Sequence, residues 1–120
     1  MATITRRILS GSTYGAPIEV LATTSPGTTI HAGPTATSNI DEVYGWIYNT
    51  ATAPRTVVVE FSGTASANHI WMTIRPQDGP YAIMPGLLLV GNGLATPVTT
   101  RAYATATGCL NISGYVNRIA

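Results

Sequence analysis

The stretch "DEVYGWIYNT", residues 41–50, decides how this chain is read, because it is apolar on both sides. Successive side chains of an extended chain point to opposite faces. Tyr44, Trp46 and Tyr48 therefore share one face, and Val43, Gly45 and Ile47 share the other. A half-exposed strand alternates apolar with polar, whereas this one alternates apolar with aromatic. One face must close a core, and the other is left as an apolar surface of the kind that marks interaction sites. Both assignments stay open at this level, with the aromatic face preferred as the outward one.

Outward from that stretch, 12 Gly and 8 Pro punctuate the 120 residues every ten positions or so, with β-branched residues between them. That spacing predicts a sandwich or barrel of short strands. Strands are expected at 16–24, 28–33, 41–50, 55–63, 69–76, 81–90, 97–106 and 109–119. In the last of them Leu110, Ile112, Gly114 and Val116 face inward; in 69–76 Ile70, Met72 and Ile74 oppose His69, Trp71, Thr73 and Arg75. Pro85-Gly86 marks a bend or bulge inside "YAIMPGLLLV". Only "TRRILSG" near the start has room for a turn of helix, and 41–75 reads as a three-stranded meander. The expectation is an all-β, antiparallel two-sheet sandwich, jelly-roll-like, of about eight short strands. Residues 1–15 form an extended N-terminal arm and 16–120 the sandwich domain.

Charged residues are 9% of the chain, against roughly 25% in ordinary soluble proteins. There is no lysine; the six cations are all arginine. Lysine keeps monomers soluble and is depleted from interface cores, so its absence favours a surface that meets other protein. A net charge of +1 and no basic run argue against direct nucleic-acid binding. No apolar run reaches the length of a membrane span or a signal peptide, so the expectation is a product made in the cytoplasm. Cys109, the single cysteine, excludes an intrachain disulfide and reads as a small buried hydrophobe, with an interchain bridge left open.

Catalytic constellations are not visible. His31 and His69 lie far apart without metal-ligand spacing, His31 reading as a loop-proximal residue and His69 as a surface strand residue. Of the acids, Asp41-Glu42 reads as the polar entry to a strand, and Glu60 as the partner of a cross-strand arginine. No serine sits in a nucleophile elbow, and no glycine pattern cradles phosphate. The sequon at Asn111 has no secretory context. No cofactor or metal is expected, and an enzymatic role has no support from these residues.

Four segments carry a resemblance: "TRRILSGSTYGAPIEV", "IHAGPTATSNIDEVYGWIYNTATAPRTVVVEFSGT", "IMPGLLLVGNG" and "RAYATATGCLNISGYVNRI". Together they resemble small virion proteins of tailed bacteriophages. The resemblance implies a non-enzymatic β-rich structural protein, first of all a capsid decoration (cement) protein. Such a protein would bind the major capsid protein lattice on the outer capsid surface as a homotrimer. Tyr44, Trp46 and Tyr48, with Trp71, would then pack the oligomer. The arm, through Ile4, Arg6, Arg7, Ile8 and Leu9, would reach onto the capsid, its arginines meeting acidic groups. A neck, tail or fibre-associated position is the alternative. A glycan-binding sandwich, with Asn49 beside the aromatic platform, is the competing binding class, and a hydrolase with a spatially assembled site is the third.

Overall fold

A computed structural model describes residues 2–120. Nine strands are present: β1 (Ile4–Ile8), β2 (Ile18–Glu19), β3 (Thr28–Ala32), β4 (Ile40–Asn49), β5 (Arg55–Glu60), β6 (His69–Ile74), β7 (Tyr81–Val90), β8 (Thr99–Ala104) and β9 (Leu110–Ile119). One 3₁₀ turn, Ser66–Asn68, leads into β6. Sheet A runs β1-β9-β4-β7, with β2 also on β9, and sheet B runs β3-β8-β5-β6. Every pairing is antiparallel. The two sheets pack face to face as a β-sandwich.

The topology is that of a rolled hairpin. β5 pairs with β6, β4 with β7, β3 with β8 and β2 with β9, as if the chain were one long antiparallel ribbon. Rolling that ribbon brings β9 beside β4 and β8 beside β5, which divides the eight strands into two four-stranded sheets. This is the jelly-roll arrangement, with β1 added at one edge. The predicted meander over 41–75 is therefore incorrect, since β4 lies in sheet A while β5 and β6 form a hairpin in sheet B. The long first strand shrinks to the two residues of β2: Val20, buried in the core, still donates to the Leu110 carbonyl, but its own carbonyl accepts from Gly108 rather than Leu110, and the regular ladder ends there.

The core follows the period-two pattern. Val43 and Ile47 of β4 and Leu110, Ile112 and Val116 of β9 point inward from sheet A. They meet Val57, Val59 and Ile74 from sheet B, where β8 contributes the small side chains of Thr100, Ala102 and Ala104. Two of the three register shifts in these sheets break the rule. β3 shifts register between Thr29 and His31, so Ile30 and His31 are both buried. β7 shifts opposite Gly45/Trp46, so Ile83 and Met84 are both buried.

The N-terminus departs from expectation twice. "TRRILSG" contains strand, not helix, and β1 pairs in register with β9 from Ile4↔Ile119 to Ile8↔Tyr115. Residues 4–9 thus belong to the sandwich rather than to an arm reaching away from it. Leu9 is 1% exposed in the core, which removes it from any capsid-contact role. After Leu9 the chain crosses to sheet B, where Gly11 donates to the Ile30 carbonyl, and returns to begin β2.

Candidate interaction surface

Because Val43, Gly45 and Ile47 face the core, Ile40, Glu42, Tyr44, Trp46 and Tyr48 form the outer face of β4. Antiparallel register carries that face across sheet A. Tyr44 lies opposite Tyr115, Trp46 opposite Ser113, and Ile40 opposite both Ile119 and Val90. On β1, Ile4 and Ile8 extend the same face past β9. A row of four apolar side chains, Ile4, Ile119, Ile40 and Val90, therefore crosses the sheet. Ile4 (67% exposed), Ile8 (51%), Leu88 (53%) and Val90 (50%) are the most open members. Along β4 the only charged side chain on this face is Glu42.

The centre of the face is ordered by its own contacts. Tyr44 and Tyr115 stack with centroids 4.9 Å apart at 20°, and Trp46 lies 6.0 Å from Tyr115. The Arg6 guanidinium sits 4.5 Å above the Tyr115 ring, and its Nε donates to Asn117 Oδ1 at 3.3 Å. Stacking this close depends on the Gly45–Gly114 pair directly beneath it. A Cβ on Gly114 would run into the Tyr44 carbonyl oxygen, so any larger residue would push β4 and β9 apart. Tyr44 and Trp46 are half-buried beside Tyr115, and Tyr48 further along the strand is half-buried too.

The structure divides the residues grouped in the sequence. Tyr44, Trp46 and Tyr48 do share one outward face. Trp71, 66% exposed, does not join them: it lies on β6, on the outer face of sheet B, and so points to the opposite side of the sandwich. There it flanks Val58 from one side while Tyr103 flanks it from the other. A single partner surface cannot cover all four aromatics. Ile4, Arg6 and Ile8 border the aromatic face, while Arg7 projects to the inner side of sheet A yet remains exposed. Tyr115, Leu88 and Val90 were not among the residues singled out from sequence, although alternation from Leu110 and Val116 already sets Tyr115 outward. Asn49 is unavailable to a ligand: its Nδ2 donates to the carbonyls of Ala53 and Ile74, and its Oδ1 accepts from Ala51 N–H. Cys109 is half-exposed rather than buried.

The buried polar groups form a second arrangement. Asp41, expected at a solvated strand entry, is fully buried and takes Arg118 Nε at 2.7 Å and Nη2 at 2.9 Å. His31, expected near a loop, crosses from sheet B and meets Asp41 Oδ2 at 2.7 Å. The backbone N–H of Ser10 donates to His31 Nδ1 at 3.0 Å. Nδ1 is thus the acceptor, and the proton sits on Nε2, facing Asp41. Burial lowers the His31 pKa, against the pull of the Asp41 hydrogen bond and charge. Burial alone would raise the Asp41 pKa, but the hydrogen bonds from Arg118 and His31 outweigh it and hold the carboxyl below its ordinary value.

Ser10, His31 and Asp41 are residue types of a hydrolytic triad, but their geometry is structural. His31 presents Nδ1 to a backbone amide rather than to a hydroxyl, and Ser10 Oγ accepts from Ala32 N–H. Glu60 is likewise consumed, accepting from Ser25 Oγ at 2.5 Å and Gly27 N–H at 2.7 Å, not from the expected cross-strand arginine. Among the described residues no three His, Cys, Asp or Glu side chains gather in a way that would hold a metal ion. Among the same residues no helix is long and apolar enough to cross a membrane. No protein-family model, curated protein or solved structure matches the chain.

Proposed function

We propose that this protein is a non-enzymatic structural component of a tailed-phage virion, a capsid decoration protein that self-associates as a trimer through the outer face of sheet A. The observation that carries the reading is that face: a stacked aromatic centre bordered by Ile4, Ile8, Leu88 and Val90, with four positions at least half exposed. Surfaces of this kind are matched by surfaces of the same kind, and aromatic residues and arginine dominate the centres of protein interfaces. A second copy is the partner that presents such a face at equal concentration. The resemblance of its segments to small phage virion proteins supports the setting. Asn49, His31, Asp41 and Glu60 are all engaged by internal hydrogen bonds, which favours a structural role for these four residues.

Light scattering on purified protein tests the self-association, with a trimer expected and a clean monomer at tens of micromolar refuting it. Trp46→Ala weakens the oligomer more than it lowers the stability of the fold, because Trp46 projects from the sheet rather than into the core. Equal loss of both would make Trp46 a packing residue only. Imaging of virions with the protein labelled places it on the head surface; label confined to the neck or tail would replace decoration by the alternative position.

A further inference from the structure

We propose that β1 is an open sheet edge that receives an extended acidic segment of another protein, which joins sheet A as an additional strand. Thr3 and Ala120 exchange both backbone hydrogen bonds, at 2.7 and 2.9 Å. In an antiparallel ladder this bonding alternates, so Thr3, Thr5 and Arg7 direct their N–H and C=O groups at β9. The corresponding groups of Ile4, Arg6 and Ile8 point the other way, along an edge that pairs with no other strand. All five side chains of β1 are exposed, on both faces.

Sheet edges are ordinarily blunted by bulges, prolines, cover or charged side chains, and charge is the one device β1 carries: it deters self-pairing but not a strand of opposite charge. β7 has two register shifts and carries Pro85 and Gly86. β3 has a bulge and is flanked by residues 10 and 11, which bond to Ala32 and Ile30. β6 is regular but carries no Asp, Glu, Lys or Arg. β1 alone combines an unbroken register with two cations. Arg6 lies on the outer side and Arg7 on the inner, and among the described residues neither forms an ion pair with a carboxylate.

That charge selects the occupant. Antiparallel pairing of two copies in the register that uses all five residues sets Arg6 against Arg6, and like charges directly opposite are destabilising. A heterologous strand avoids this when it places acids against both arginines and apolar residues against Ile4 and Ile8. Read opposite Ile8, Arg7, Arg6, Thr5 and Ile4, the complement is apolar, acidic, acidic, polar, apolar. Main-chain bonds then supply affinity and the alternate side chains supply selectivity. The proposal depends on the assembly reading only for where such a strand comes from; the edge itself is tested on the isolated chain.

The probe is the blocked peptide GVEDTVG, titrated into the isotopically labelled full-length protein, with amide hydrogen exchange read residue by residue. Saturating peptide slows exchange at Ile4, Arg6 and Ile8 by about tenfold or more, leaving Thr3, Thr5 and Arg7 as they were. Arg6→Ala weakens binding through lost charge, whereas Arg6→Pro, which removes an N–H pointing away from β9 and so spares the ladder, abolishes the protection. A peptide with lysines in place of the two acids gives none. Unchanged exchange at millimolar peptide overturns the proposal, and so do shifts confined to the arginine side chains. Protection that rises with protein concentration alone overturns it in favour of self-pairing. Retention of the unmodified protein on particles despite a negative titration leaves the sheet A reading standing; loss of both removes the two together.

Discussion

Asp41→Asn is expected to be among the most damaging conservative substitutions in the molecule. Asp41 has no exposed side-chain surface, and its partners His31 and Arg118 are 4% and 19% exposed. Three hydrogen bonds converge on it, one on Oδ1 and two on Oδ2. An amide retains one acceptor, so the best orientation keeps the two bonds at Oδ2 and turns an NH₂ toward Arg118 Nε. That converts a charge-assisted bond of about 1.5–3 kcal/mol into a donor–donor conflict. It also strips Arg118 of its counter-charge in a largely buried site. Breaking one side of a buried ion pair costs about 3–5 kcal/mol, a large share of the roughly 5–15 kcal/mol that holds a domain of this size. Urea unfolding at fixed protein concentration measures it, with an unchanged slope expected. Adding Arg118→Met should recover part of the loss, because no buried cation then remains unpaired. A single-variant loss below about 1 kcal/mol would mean that the site is wet and the pair screened, and would refute the argument.

The same cluster sets a pH dependence. The His31 pKa is lowered by folding, so below about 6.5 the unfolded chain takes up a proton that the native state refuses, and stability falls as pH drops through that window. Asp41 has a depressed pKa, so its contribution is present above about 3.8 and is lost as pH falls through the folded value. Urea titrations from pH 7.5 to 4.5 should show the first loss, and a His31→Gln variant should flatten it; identical slopes in both would refute the assignment. Leu9→Ala should cost about 2–5 kcal/mol by opening a core cavity, while Ile4→Ala costs little in folding, and thermal or urea unfolding of the two separates core from edge. Trp71→Ala should leave both oligomeric state and stability within about 0.5 kcal/mol of the parent, because its side chain is open on the face opposite the aromatic cluster. Dissociation of the Trp71 variant in light scattering would reopen its place in the interface.

What the chain determined locally was readable in advance. Alternation is a property of consecutive residues, so the two faces of 43–48 and the inward set Leu110, Ile112, Gly114 and Val116 follow from it, and the Pro85-Gly86 pair marks its own bulge. The all-β sandwich followed from the same short-range signals of turn spacing and β-branched runs. What tertiary structure alone decided is which strands become neighbours, because hydrogen-bond partners in a rolled ribbon are separated by tens of residues and leave no local mark. Hence β4 was grouped with β5 and β6 instead of β9 and β7, and Trp71 was placed with aromatics it never approaches. The buried cluster escaped for two further reasons. A bulge in β3 breaks the period that would have revealed His31 as buried, and Asp41 at a strand end looks like any solvated entry until Arg118, 77 positions away, lies beside it. β1 was hidden similarly: "TRRILSG" has no strong pattern of its own, and it becomes a strand only because the far end of β9 offers a ladder to complete.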